Sequence, residues 1–141
     1  MARYLGIDYG ERRIGMAVSD PTGTIATALP TLVRRRGKRP PVAEILRIAD
    51  ELEVDAFVIG LPLTSDGDEN EWTLEVRAFG DRLAERGGRP VHYVDERMTS
   101  ARAERVVRGS GLPRSKRERK ESVDAVAAVL ILQAFLDRGA R

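Results

Sequence analysis

The sequence predicts a single-domain α/β protein: a mixed five-stranded sheet with helices on both faces. Three observations carry that expectation. The chain has 141 residues, a length that fits one domain over residues 1–141. Its first third is a series of β-like runs separated by turn residues. Beyond that, short apolar runs alternate with stripes of apolar residues at helical spacing, the pattern of helices laid on a sheet.

The elements follow in order. Residues 3–9 read as a strand, Gly10–Arg13 as a turn and Ile14–Ser19 as a second strand, closed by Asp20-Pro21-Thr22-Gly23. Thr24–Val33 reads as a third strand, with Pro30 suited to an edge or a break. After Pro40-Pro41, the spacing of Val42, Ile45, Leu46, Ala49 and Leu52 predicts a helix. Ala56–Gly60 is a short apolar run suited to a strand buried on both faces. Trp72, Val76, Phe79 and Leu83 mark a second helix, stopped by Gly87-Gly88. Val91–Val94 is a further strand, and Thr99 or Ser100 is placed to cap a helix ending near Gly109. Ser110–Lys120 lacks a hydrophobic period and reads as a basic loop, followed by a long apolar helix over Ser122–Leu136.

Composition narrows the class of function. Cysteine is absent, which excludes a disulfide framework and a Cys-based zinc site and fits a reducing compartment. The longest apolar run, Ala125–Leu132, is too short to span a membrane, and no signal peptide is visible, so a cytoplasmic protein is expected. Net charge is only +2, but it is unevenly spread. Asp50–Glu96 holds thirteen acidic and four basic residues, whereas Arg102–Lys120 holds eight basic and two acidic. A second basic run spans Arg34–Arg39. Such asymmetry suits a polyanionic partner, the alternative being solvated loops. Arg34, Arg35, Arg36, Arg114, Lys116, Arg117 and Arg119 are the candidate phosphate contacts.

Three carboxylates stand out. Asp8 interrupts the apolar strand Leu5-Gly6-Ile7, where a carboxylate is costly unless paired or coordinated; the alternative is a cap on the following turn. Asp124 shares a helix face with Ala127, Ala128 and Ile131, a face that must pack closely; the alternative is a first-turn Asp held by the helix dipole. Asp95 and Glu96 follow a strand on opposite faces, so one is free to enter a site while the other caps the next turn. Each acid falls at a strand or helix end, where sites of α/β sheets assemble. Clustered carboxylates repel one another, and a divalent cation relieves the repulsion. Oxygen-only ligands select hard ions, so Mg²⁺ or Mn²⁺ is the expected cofactor, and such ions support phosphodiester hydrolysis.

Four motifs then fall in one order along the chain: Leu5-Gly6-Ile7-Asp8-Tyr9-Gly10 with Arg13-Ile14-Gly15; Gly60-Leu61-Pro62-Leu63 with Asp66-Gly67; Val94 to Ser100; and Asp124-Ala125-Val126-Ala127-Ala128 with Ile131-Leu132. In these the chain resembles the YqgF family, also called RuvX, which is similar to the RuvC resolvases and to the ribonuclease H-like superfamily. The resemblance implies a ribonuclease H-like fold and maps the family's acidic trio onto Asp8, Glu96 and Asp124. It also implies a metal-dependent nuclease associated with precursor small-subunit rRNA, or one acting on branched or single-stranded DNA, as a monomer or homodimer. RuvC-type sites carry one more acid a helical turn before the last Asp, the place of Glu121.

Other residues carry less. His92, the lone histidine, reads as a half-buried strand residue, and Trp72 as core or rim. Asp66 makes a turn with Gly67 or borders the site. Two functional alternatives stand beside the nuclease. One is an ATP-binding domain of the actin and sugar-kinase type, which shares the first strand but needs a second domain. The other is an RNA-binding assembly factor without turnover.

Overall fold

The computed structural model describes residues 2–34, 39–99 and 116–139, with backbone alone for 116–124. Three antiparallel strands come first: β1 (Tyr4–Tyr9), β2 (Arg13–Ser19) and β3 (Ala26–Val33). Helix α1 (Val42–Glu51), strand β4 (Ala56–Leu61), helix α2 (Glu71–Gly87) and strand β5 (Val91–Asp95) follow, then a short 3-10 turn over Glu96–Met98 and the C-terminal helix α3 (Lys116–Asp137). The sheet order is β3-β2-β1-β4-β5, with β4 parallel to β1 and β5 parallel to β4. This is the expected ribonuclease H-like mixed sheet.

Alternation along β1 decides what lies on each face. Leu5, Ile7 and Tyr9 join Ile14, Met16, Phe57 and Ile59 in a core shared with Val42, Ile45 and Ala49 of α1 and Val76, Phe79 and Leu83 of α2. The opposite face carries Ala17, Val58 and Val94, covered by Ala127, Ala128, Ile131, Leu132, Phe135 and Leu136 of α3. Fully burying one such Phe, Ile or Leu contributes ~1.5–3 kcal/mol. Here α3 comes so close that a Cβ on Gly6 would meet Leu132 Cβ at 2.7 Å.

Local chemistry explains the ends. Pro30 lies in the edge strand β3, where its missing N–H costs no ladder bond, and the register slips there between Ile14 and Met16. Asn70 caps α2 through a reciprocal pair with Thr73, and Gly88 ends the helix at φ 62°. The sequence expectation fails for α3. Lys116–Lys120, read as loop, is helical, so the helix begins well before Ser122. The segment is rich in Lys, Arg and Glu, good helix formers that need no apolar stripe when solvated. The expected helix from Thr99 or Ser100 to Gly109 lies outside the described residues. Among the described residues, no helix is long and apolar enough to cross a membrane.

Candidate active site

Two of the three predicted acids lie at one end of the sheet, on the same face. Asp8 is the fifth residue of β1, pairs with Gly15 of β2, and is 2% exposed. It shares the α3 face with Gly6. On the neighbouring strand Ile7 pairs with Ile59, so Gly60 is the β4 residue level with Asp8, about one strand spacing of ~4.8 Å away. Gly60 in turn pairs with Val94 of β5, two residues before Glu96.

Glu96 begins the 3-10 turn and is 1% exposed. Its side chain folds back over Gly60: a Cβ built there would lie 2.6 Å from Glu96 Oε1 and 2.5 Å from Ile131 Cδ1. Glycine at position 60 is therefore what lets a carboxylate lie on the sheet surface next to the Asp8 strand. Asp95 takes the other of the two roles the sequence allowed. Its Oδ1 accepts from the Arg97 backbone N–H at 2.9 Å, capping the 3-10 turn.

Helix α3 crosses this face antiparallel to β1. Phe135 stacks edge-on against Tyr4, at 5.1 Å between centroids, while Leu132 and the Ala128 carbonyl lie over Gly6. Continuing one turn toward the helix N-terminus advances ~6 Å, about the two-residue step from Gly6 to Asp8. The α3 backbone thus carries position 124 to the level of the acidic end of the sheet. The Asp124 side chain lies outside the described residues, as do those of Glu121, Lys116, Arg117 and Arg119. One sequence alternative falls: with α3 starting at Lys116, Asp124 is eight residues into the helix, beyond the first turn where a dipole acts. Among the described residues, no group of three His, Cys, Asp or Glu side chains gathers, and two of the predicted trio are among them.

The surroundings of the site were less legible. Arg97 joins the 3-10 turn to the β4–α2 loop. Its Nε and Nη2 pair with the Asp95 carboxylate, Nη2 to Oδ2 at 2.7 Å, and its Nη1 donates to Ser65 O at 3.2 Å. The hydrogen bond to Asp95 raises the Arg97 pKa against some desolvation, with Coulombic help from Asp95, Asp66 and Asp68. Gly67, at φ 89°, leaves room for the guanidinium: a Cβ would meet Nη1 and Nη2 at 3.1 Å. The loop is a closed turn in which Thr64 N–H donates to Asp68 O and Gly67 N–H to Thr64 O. Asp66 belongs to it, as the turn reading had it.

On the far face, Tyr9 is stacked on Phe79 at 4.0 Å and on Trp72 at 5.6 Å. The Arg34 guanidinium lies 4.8 Å from the Tyr9 centroid and donates to Gly10 O at 2.9 Å. Arg34, predicted to meet phosphate, is thus anchored at the end of β1. Arg35, Arg36 and Arg114 lie outside the described residues. His92 is half-buried against Phe135 and Tyr4, a packing residue as expected.

The sheet order, with buried acids at the C-terminal ends of β1 and β5 on either side of β4, is that of a ribonuclease H-like nuclease, an enzyme that hydrolyses phosphodiester bonds. The chain belongs to the RuvX family, whose model, described as Holliday junction resolvase, matches residues 2–138. A protein of Koribacter versatilis named "Putative pre-16S rRNA nuclease" is 45% identical, over 96% of this chain and 87% of its own. One of the same name from Anaeromyxobacter dehalogenans is 44% identical over 98% of each chain. Among solved structures, Thermus thermophilus RuvC in complex with a Holliday junction substrate shares the fold, with a TM-score of 0.55 and 20% identity over 99% of this chain and 97% of that one.

Proposed function

We propose that this protein is a single-domain, divalent-metal-dependent endonuclease that matures the 5′ end of precursor 16S rRNA in the cytoplasm, with Asp8, Glu96 and Asp124 as its ligands. The observation that carries the reading is the placement of Asp8 and Glu96. Both are buried, on one face, at the C-terminal ends of β1 and β5, with Gly60 of the intervening β4 leaving the Glu96 carboxylate room to lie on the sheet. The substrate assignment rests on the names of the relatives.

The donor set fits a hard cation. Asp8 and Glu96 offer only oxygens, and Gly60 has no side chain to push the Glu96 carboxylate off the sheet. When bound, Mg²⁺ or Mn²⁺ would neutralise charge at the scissile phosphate and acidify a water. The protein's own residues do the rest. Asp8 and Glu96 hold their oxygens on a rigid sheet, which fixes the reacting groups without a reorganisation cost. Ala127, Ala128 and Ile131 close the floor of the site against water. The basic segments Arg34–Arg39 and Arg114–Lys120 would hold the backbone of the polymer without reading its sequence.

The test is cleavage by purified protein with Mn²⁺ or Mg²⁺ of precursor 16S rRNA, single strands and four-way junction DNA, alongside ATP hydrolysis. Asp8→Asn, which keeps shape and removes charge, should lower cleavage by about 100-fold or more, the scale of losing a positioned catalytic group. Circular dichroism should stay unchanged. Preference for the junction would move the substrate to DNA. ATP turnover lost in Asp8→Asn, without cleavage of any polymer, would overturn the nuclease reading. RNA binding without cleavage would leave an assembly factor.

A further inference from the structure

An arginine one residue from an acidic nuclease site invites the reading that it grips a substrate phosphate. The geometry points elsewhere: we propose that Arg97 is a positioning residue that braces the Thr64–Asp68 loop against the 3-10 turn and thereby fixes Glu96, without touching nucleic acid. The inference rests on Glu96 belonging to the active site.

Three observations support it. All three guanidinium nitrogens are engaged, Nε and Nη2 by Asp95 and Nη1 by Ser65 O. The Arg97 charge is matched by Asp95, with Asp66 and Asp68 of the loop close enough to act on it, so a phosphate would meet an acidic surround. Gly67, at φ 89°, has no Cβ to crowd the fork, which one would meet at 3.1 Å.

The structure also shows what the brace would control. Asp95 caps the 3-10 turn through the Arg97 backbone N–H, and the same carboxylate receives the Arg97 side chain. Glu96 is the residue between them. The loop is closed on its other side as well: Thr73 Oγ1 donates to Pro62 O, and Arg77 pairs with Glu69, Nε to Oε1 at 2.7 Å. Arg97 is thus the tie from a loop already fixed to α2 across to the turn carrying Glu96. A planar fork is needed for this, which an ammonium cannot replace.

The test separates three possibilities. In metal-free protein, Arg97→Ala should speed amide exchange at Thr64, Gly67 and Asp68, whose hydrogen bonds close the loop. In the cleavage assay, kcat should fall roughly 10- to 100-fold, the scale of an ångström-sized misplacement, with KM and the salt dependence of binding unchanged. Arg97→Lys should behave like Arg97→Ala, and added guanidinium should restore kcat to Arg97→Ala alone. A raised KM with a shallower salt slope and an unchanged kcat would mean that Arg97 contacts phosphate and would overturn the proposal. So would unchanged amide exchange. Glu96→Gln is the control on the premise: full activity there would refute the role of Glu96, whatever Arg97 does to the loop.

Discussion

At the scale of single residues, the site depends as much on absent side chains as on present ones. Gly6 and Gly60 both face α3, and a Cβ at either would collide with a helix side chain. They differ in what else is near. The Gly60 Cβ would also strike Glu96 Oε1, whereas the close neighbours at Gly6 are Leu132 and Ala128. Both Ala substitutions should therefore destabilise by about 1–3 kcal/mol through overpacking. Only Gly60→Ala should also lower kcat per folded molecule, because only it displaces a carboxylate. Thermal midpoints and active-site-normalised rates of the two variants check this; equal loss of kcat in both would mean that α3 displacement alone is responsible.

Residues also show why part of the site was readable in sequence. Asp8 stands out because an acid in an apolar strand needs a reason, and burial at 2% exposure bears out the anomaly. Strand alternation narrowed the second acid to Asp95 or Glu96, and the family resemblance chose Glu96. The Arg97–Ser65 tie had no such signal, because it joins residues 32 positions apart through a loop whose path the local sequence does not determine. Gly67 could have been noticed next to Asp66 as a turn, but not as the cavity for a guanidinium.

At the scale of elements, strands and helices with an apolar period were found almost to their ends, while α3 was found only in its apolar part. The sequence of its first turns has no apolar period to announce them, and periodicity is blind to a helix without one. Those turns carry Lys116, Arg117, Arg119 and Lys120 at the positive end of the helix dipole, where each cation costs ~0.3–1 kcal/mol. On the proposed function, a bound polyanion would offset that cost. Replacing Arg114, Lys116, Arg117 and Arg119 by Gln should stabilise the helix slightly and weaken RNA binding. The slope of log affinity against log salt should flatten by about 0.7 per lost contact on single strands. A slope unchanged from the parent protein would make these residues solvated surface.

At the scale of the whole molecule, the topology was legible because two periodicities change over at one point. The strand-and-turn meander ends before Pro40-Pro41, and crossover helices begin after it. A crossover returns its strand parallel to the sheet, which places β4 next to β1 and β5 next to β4. Sequence alone could not say that β1 becomes the central strand with α1 and α2 on one side and α3 on the other. That depends on which faces the apolar residues of distant elements share.

The central strand also gives the molecule an optical reporter. Trp72 is the single tryptophan, and its indole lies almost parallel to the Tyr9 ring, 11° between planes. Tyr9 is the residue after Asp8, and the Arg34 guanidinium lies over its ring. An ion drawn to Asp8 pulls on one neighbour of this stack, and a polyanion drawn to the 34–39 segment pulls on another. Indole emission should then shift in two separable steps during a titration, first with Mn²⁺ or Mg²⁺ and then with RNA. Loading of the protein would be read without a dye, a label or turnover, with the first step lost in Asp8→Asn and the second retained.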